Sequence, residues 1–136
     1  MSMTQAQFPD LKDAGVLITG GGSGIGASLV EAFAMQGAKV AFIDIAEEPS
    51  AALVQRLAGA APHPVHFFKT DLSDIPAIGR TVDAAASATG GIKVLVNNAA
   101  WDDRHDIDTV TEAYWDANQA VNLKQMFFTV QAALPY

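Results

Sequence analysis

The sequence predicts an α/β fold in which a parallel sheet carries helices on both faces. Short apolar runs alternate with longer segments of helical periodicity, and the runs begin at residues 15, 39, 64 and 93. The resulting intervals are close to the ~30 residues of a strand–helix–strand unit with parallel strands. Because the chain has 136 residues, half of them hydrophobic, it can bury the core of one domain.

Four runs rich in Val, Ile and Phe, and bounded by Gly, Pro or Asp, are predicted as strands. They span residues 15–19, 39–44, 64–69 and 93–98. The first helix follows a glycine turn and ends near Gly37, and the second spans roughly residues 49–58. The third helix begins with Ser73 as N-cap and stops at Gly90, and the last runs from about 109 to 134 and is apolar on more than one face.

The stretch TGGGSGIG, residues 19–26, stands between the first strand and the first helix. Such a turn is typical of a phosphate site, because backbone N–H groups and the positive end of the helix dipole face the anion. A Walker P-loop is excluded, since Ala27 stands where that motif needs lysine. A tight turn without a ligand remains open beside two dinucleotide registers, G-x-G-x-x-G/A through Gly22, Gly24 and Ala27, and T-G-x-x-x-G-x-G through Thr19, Gly20, Gly24 and Gly26.

Asp44 favours the dinucleotide interpretation. It follows Gly24 by 20 residues, at the predicted end of the second strand, where such a site needs an acidic residue for the ribose hydroxyls. A carboxylate accepts hydrogen bonds from a free 2′-hydroxyl and repels a 2′-phosphate, and the following residues IAEEP supply no arginine. The predicted cofactor is therefore NAD rather than NADP.

Composition argues against several partners. The 15 acidic and 8 basic side chains give a net charge of -7, which repels nucleic acid and anionic membranes. The chain has no cysteine, and no spacing of His or Asp demands a cation, so we predict no metal site. MSMTQAQFPD lacks the basic start and apolar core of a signal peptide, and no apolar stretch reaches the ~20 residues of a membrane span. We expect a cytoplasmic protein.

Four motifs occur in a characteristic order: TGxxxGIG at the first turn, TDLS (70–73) after the third strand, NNAA (97–100) after the fourth, and VNL (121–123) in the last helix. With these motifs the sequence resembles the short-chain dehydrogenase/reductase family. The resemblance implies a Rossmann-like doubly wound sheet, truncated after its fourth unit. Residues 1–136 would be the dinucleotide-binding part of a single domain whose C-terminal half is absent from this chain, and the complete protein would be a homo-oligomer, a dimer or a tetramer.

The resemblance also implies the residues of the site. Asn122 matches the asparagine of the family's catalytic tetrad, and Ala100 stands where the strand-four motif usually has glycine. The residues that would bind the cofactor follow the carboxyl ends of the strands or lie in the last helix. They are Gly20, Ser23, Gly24, Ile25, Gly26, Asp44, Ile45, Asp71, Leu72, Asn98, Ala99, Ala100 and Val121.

The family's chemistry needs three further residues: a serine, a tyrosine that acts as general acid or base, and a lysine four positions later. None can be assigned, because Tyr114 is followed four places later by Asn118 and Tyr136 is the last residue. We expect a hydride transfer between a substrate alcohol and NAD. An NAD-binding module, or an inactive fragment that lacks these residues, remains the alternative.

A narrower likeness concerns the segment WDDRHDIDTVTEAYWD, residues 101–116. It is similar to the corresponding segment of bacterial aldose dehydrogenases of the D-xylose 1-dehydrogenase type. Polar residues there would suit a polyhydroxylated small-molecule substrate, so the resemblance implies a sugar. The other interpretation of residues 102–105 is a solvated loop with local ion pairs.

Overall fold

The computed structural model describes residues 6–136 of the chain. Part of the segment used above to argue against a signal peptide, residues 1–5, lies outside the described residues. Within the described part, no helix combines the length and the apolar character that a membrane crossing requires.

Four parallel strands form one sheet in the order β3-β2-β1-β4. They are β1 (Gly15–Thr19), β2 (Lys39–Asp44), β3 (His66–Lys69) and β4 (Val94–Asn97). The predicted parallel sheet is confirmed, although β3 begins two residues later than expected and β4 is one residue shorter at each end. The chain builds outward from β1 to β3 and then returns to place β4 on the other side of β1. The strand order therefore reverses between β1 and β4, which is where α/β proteins bind ligands.

Three helices connect the strands: α1 (Gly24–Met35), α2 (Glu47–Leu57) and α3 (Ile75–Thr89). Each prediction of these helices is confirmed, and Gly90 ends α3 in the left-handed conformation with φ 76°. The predicted N-cap of α3 is wrong by one residue. Asp74 caps the helix by accepting a hydrogen bond from the Ala77 N–H at 3.1 Å, whereas the Ser73 hydroxyl donates to Asp71.

The last helical region is not the single helix predicted over residues 109–134. It consists of α4 (Glu112–Gln119), a π-helical turn (Ala120–Lys124) and α5 (Gln125–Ala133). Thr111 caps α4 by accepting from the Tyr114 N–H. A π turn adds one residue to a revolution of the helix. The apolar pattern of the sequence contains no sign of this insertion.

Two apolar cores lie on opposite faces of the sheet. Alternate residues of β1 and β2 point to opposite sides, as the two-residue period of a strand requires. Val16, Ile18 and Phe42 pack on the face covered by α1 and α2, whereas Leu17 and Ile43 pack on the face covered by α3 and α5. All five side chains are fully buried. Burial on both sides explains why the strands read as continuous apolar runs.

The outer surface of α5 and the preceding π turn is less well covered than the sequence led us to expect. The helical pattern predicts neighbours on several sides. In the described chain α5 packs against α3 and β4, but several large apolar side chains remain exposed. They are Leu123, Phe127, Val130 and Leu134. β4 is likewise an edge strand of this sheet.

The close packing of α1 on the sheet depends on Gly26, and this yields a stability prediction. A Cβ at this position would stand 1.8 Å from the Gly20 carbonyl oxygen and 2.7 Å from Nδ2 of Asn98. Because neither neighbour can withdraw without breaking a turn, we expect Gly26→Ala to lower the free energy of unfolding by about 1–3 kcal/mol. Urea denaturation measures the difference.

Gly79 provides the matched control, because it lies inside α3 and a Cβ there would have no atom within 4 Å. We expect Gly79→Ala to raise the free energy of unfolding by about 0.5–1 kcal/mol, since alanine is the better helix former. Equal urea midpoints for Gly26→Ala and the unchanged protein would contradict the proposed close packing.

Candidate functional site

A cleft of about 450 Å³ opens at the carboxyl ends of the strands, where the strand order reverses. The structure brings into its lining all the residues predicted to bind a cofactor, although their contact with a cofactor stays a prediction. One further lining residue, Thr70, was missed. Thr70 is the first residue of the TDLS motif, so the motif itself was the available signal. The lining residues are Gly20, Ser23, Gly24, Ile25, Gly26, Asp44, Ile45, Thr70, Asp71, Leu72, Asn98, Ala99, Ala100 and Val121.

The glycine turn leads from β1 into α1 and is anchored to the end of β2. The N–H groups of Gly20 and Gly21 donate to the Ile43 carbonyl at 2.7 and 3.2 Å, and the Gly22 N–H donates to Oδ2 of Asp44 at 2.8 Å. The N–H groups of residues 24–26 follow at the start of α1. No side chain caps this helix, and within residues 6–136 those three N–H groups have no protein acceptor. Donors in such an arrangement can bind an anion.

The ends of β1 and β4 are joined below the cleft by Thr19 and Asn98. The fully buried Thr19 hydroxyl oxygen accepts hydrogen bonds from the Asn98 and Ala99 N–H groups, at 3.0 and 3.1 Å. In return, Nδ2 of Asn98 donates to the carbonyl oxygens of Thr19 and Gly20, at 3.1 and 3.0 Å. These bonds fix Asn98 against the glycine turn, and Asn98, Ala99 and Ala100 all line the cleft.

Asp44 is held at the cleft wall by its own backbone surroundings. Oδ2 accepts from the Gly22 N–H and Oδ1 accepts from the Ala46 N–H, at 2.8 and 2.9 Å. Each oxygen keeps a further lone pair, because a carboxylate can accept about four hydrogen bonds. The side chain is therefore fixed in position and still able to accept from a ligand.

Apolar side chains flank the N–H groups at the start of α1 and the carboxylate of Asp44. Ile25 and Ile45 are 76% and 67% exposed, so both offer an uncovered surface to an aromatic ring or a sugar face. Leu72 differs, because it is only 6% exposed and packs into the core on the α3 side. Oδ1 of Asp71 accepts from the N–H and the hydroxyl of Ser73, which fixes the loop after β3.

An ion pair stands just outside the cleft, between Lys69 at the end of β3 and Glu47 at the start of α2. Their Nζ and Oε2 atoms are 2.6 Å apart. The hydrogen bond from Lys69, together with its positive charge, lowers the pKa of Glu47 below its ordinary value. Both side chains are exposed, so the pair contributes little to stability. It does engage the lysine that lies nearest to Asp44 in the sheet register.

Asn122 does not line the cleft, although its neighbour Val121 does. It lies within the π turn, and its side chain binds the main chain of Trp101. Oδ1 accepts from the Trp101 N–H at 2.7 Å, and Nδ2 donates to the Trp101 carbonyl at 2.9 Å. The position inferred for catalysis thus holds the segment that follows Ala100.

Residues 101–105 fold back onto α4 through aromatic contacts. The ring of Trp101 packs against Tyr114 with centroids 5.4 Å apart, and His105 stacks on the same tyrosine at 3.9 Å. The Tyr114 hydroxyl donates to the Asp103 carbonyl at 3.0 Å. Nδ1 of His105 lies 3.6 Å from Oδ2 of Asp103. The segment is exposed and partly ion-paired, as one of the two interpretations expected, but it is also held in place.

Three features are typical of nucleotide-binding α/β proteins: a parallel sheet, a glycine turn leading into an uncapped helix, and a carboxylate at the end of the neighbouring strand. The model of the short chain dehydrogenase family matches residues 14–136. The chain therefore belongs to the short-chain dehydrogenase family.

Individual relatives agree with this assignment. The chain is 52% identical to a probable galactose dehydrogenase of Rhizobium meliloti over its whole length, covering 53% of that protein. It is 50% identical to a D-xylose 1-dehydrogenase of Caulobacter vibrioides, with 98% of this chain and 52% of that protein covered. A crystal structure of a short-chain dehydrogenase from Burkholderia cenocepacia in complex with NADP superposes with a TM-score of 0.88 at 31% identity, covering 93% and 51% of the two chains. The chain spans about half the length of these relatives.

The hydroxyl of Thr19 yields a prediction that separates hydrogen bonding from packing. Thr19→Val keeps the shape of the side chain but leaves the Asn98 and Ala99 N–H groups without their acceptor. We expect it to lower the free energy of unfolding by about 2–3 kcal/mol, the cost of unpaired buried donors. Thr19→Ser keeps the oxygen and should lose only about 1 kcal/mol for the missing methyl group. Equal losses in urea denaturation would show that the hydroxyl is not what joins the strands.

Proposed function

We propose that the chain is the cofactor-binding part of a dehydrogenase that oxidises a hydroxyl group of a sugar with NAD. One observation carries the proposal: the uncapped start of α1 and the carboxylate of Asp44 face a single cleft, at a separation set by the sheet. A dinucleotide has a diphosphate in its middle and a ribose diol on its adenosine side. The cleft offers amide donors for the first and a carboxylate acceptor for the second.

The residues fit the cofactor part by part. The N–H groups of residues 24–26 would donate to the diphosphate oxygens, and Asp44, with Ile45 beside it, would accept from the adenosine ribose hydroxyls. Asp71 and Leu72 would border the adenine, while Asn98, Ala99, Ala100 and Val121 would line the opposite wall. When bound, the nicotinamide cofactor supplies the hydride acceptor, and the protein supplies binding and orientation.

Asp44 and the pairing of the neighbouring Lys69 with Glu47 support NAD over NADP. The carboxylate already receives two backbone N–H groups, and an added 2′-phosphate would face its negative charge. Lys69, the basic residue nearest in the register, is engaged with Glu47. No arginine occurs between residues 45 and 55. NADP in the related Burkholderia structure makes this choice one to test directly.

The sugar assignment draws on the relatives and on residues 101–105. Two relatives at 50–52% identity are named for galactose and D-xylose, and both sugars present several hydroxyl groups. Asp103 and His105, in the segment that follows Ala100, offer an acceptor and an imidazole. Asn122 would act in catalysis from the π turn. The family's tyrosine, which removes the hydroxyl proton, and the serine and lysine that assist it are not assigned within this chain.

Two further properties belong to the proposal. Exposed apolar side chains on α5 support association of the complete protein into a homo-oligomer. Dependence on NAD supports a cytoplasmic location, since the protein must work where that cofactor is present.

The choice of cofactor is tested by Asp44→Asn, which removes the negative charge and keeps the size of the side chain, although its NH₂ group replaces the acceptor of one of the two backbone N–H groups. We expect NAD to bind about tenfold more weakly, because a charge-assisted hydrogen bond becomes a neutral one. NADP should lose less or gain, because its 2′-phosphate no longer meets a carboxylate. Calorimetric titration with each cofactor gives the ratio of the two affinities.

Asp71→Asn is the matched control, because it neutralises the other carboxylate of the same cleft. The ratio of NAD to NADP affinity should stay unchanged in this variant. If Asp44→Asn weakens both cofactors equally, the ribose assignment of Asp44 is wrong.

A second measurement, made on the complete protein, distinguishes sugar oxidation from the alternative function, an NAD-binding module without catalysis. NAD is added with D-galactose or D-xylose, and the absorbance of NADH is followed. We expect NADH to form. Tight NAD binding without turnover of any sugar would favour the module, and no binding at millimolar NAD would contradict both functions.

A further inference from the structure

Two asparagines one helical turn apart hold the main chain of Trp101. The Asn122 amide pairs with this residue in both directions, accepting from its N–H and donating to its carbonyl. Nδ2 of Asn118 approaches the same carbonyl at 3.5 Å. Residue 101 directly follows Ala100, which lines the cleft, so these contacts determine how the chain leaves the cleft wall.

The pairing works only in one orientation of the Asn122 amide. If the amide were turned over, its NH₂ group would face the Trp101 N–H and its oxygen would face the Trp101 carbonyl. Donor would then meet donor, and acceptor would meet acceptor. Asn118 selects the productive orientation, because its Oδ1 accepts from Nδ2 of Asn122 at 3.0 Å. In the turned orientation two oxygen atoms would meet there instead. The resemblance to the family assigned no role to Asn118.

The segment held in this way is also braced from its far end. The Trp101 ring packs on Tyr114, whose hydroxyl donates to the Asp103 carbonyl. Asn118 and Tyr114 both belong to α4, so one short helix supplies the polar and the aromatic supports. A displaced Trp101 backbone would therefore move the position of Asp103 and His105 relative to Ala100.

We propose that Asn118 is a positioning residue for the substrate side of the cleft. It orients the amide of Asn122, which in turn fixes Trp101 and with it residues 101–105, the segment that continues from the cleft wall at Ala100 and lines a neighbouring shallow pocket on α4. The substrate role of this segment rests on the proposed function, whereas the positioning of Trp101 does not. Asn118 acts through Asn122, and it does not itself line the cofactor cleft.

The substitutions distinguish the acceptor from the bulk of the side chain. Asn118→Leu is similar in size and removes the acceptor for Asn122, whereas Asn118→Asp keeps an oxygen at that point but places a second carboxylate oxygen where Nδ2 faced the Trp101 carbonyl. Gln119→Leu is the matched control, because Gln119 neighbours Asn118 and has no side-chain hydrogen bond within residues 6–136. All variants are made in the protein as encoded.

The first readout needs neither cofactor nor substrate. Trp101 and Trp115 are the two tryptophans of the sequence, so a Trp115→Phe background reports on Trp101 alone. We expect Asn118→Leu to increase acrylamide quenching of Trp101 fluorescence, Asn118→Asp to increase it less because the acceptor for Asn122 is kept, and Gln119→Leu to leave it unchanged. Equal quenching in Asn118→Leu and its parent, or equal increases in the Leu and Asp variants, would overturn the proposal.

The second readout is the division of the effect between KM and NAD affinity, with D-galactose and D-xylose as substrates. We expect Asn118→Leu to raise the KM for the sugar about fivefold, the factor that corresponds to one net hydrogen bond, with NAD affinity unchanged. Asn118→Asp should raise the KM less than Asn118→Leu. An unchanged KM together with increased quenching would overturn the substrate role of residues 101–105. Absence of sugar oxidation in the parent would instead contradict the proposed function, and the fluorescence result would still decide the positioning of Trp101.

Discussion

The hydrogen bonds that join the carboxyl ends of β1 and β4 are the constraint on which the cleft depends. The ladder between these two parallel strands ends at the pair Thr19 and Asn97, and beyond this pair the chain leaves each strand into a different connection. The buried Thr19 hydroxyl and the Asn98 amide link the strand ends there with four bonds of 3.0 to 3.1 Å. Gly26 then brings α1 against the same point, because it has no side chain to meet the Gly20 carbonyl. The ends of β1 and β4, the glycine turn and α1 are thereby fixed relative to one another.

This arrangement explains how a protein with a net charge of -7 can offer a site for an anion. Net charge acts over the whole surface and is screened by salt within about 8–10 Å. The N–H groups at the start of α1 act at hydrogen-bond distance and lack competing protein acceptors. Asp44 adds a negative group beside the turn, and the Gly22 and Ala46 N–H groups hold it at the end of β2. Local geometry outweighs the overall charge.

The side of the cleft that Val121 lines depends on the π turn in the last helical region. The π turn at residues 120–124 separates α4 from α5, and Val121 and Asn122 within it face different partners. Val121 lines the cleft, whereas Asn122 binds the Trp101 main chain. A continuous α-helix from 109 to 134 would present these residues with a different phase, because the π turn adds a residue to one revolution. The helix and the loop after β4 are thus coupled through one side-chain amide, and Asn118 determines how that amide is turned.

The sequence by itself determined the sheet and the order of helices and strands, through apolar runs of strand length and glycines at turns. The family resemblance indicated all the residues at the cleft except Thr70. Tertiary structure alone decided the N-cap at Asp74, the division of the last helix, the depth of Leu72 in the core, and the pairing of Asn122 with Trp101. Each of these depends on contacts between segments distant in the chain, where alternatives differ by one or two hydrogen bonds, and such differences leave no periodic trace in the order of residues.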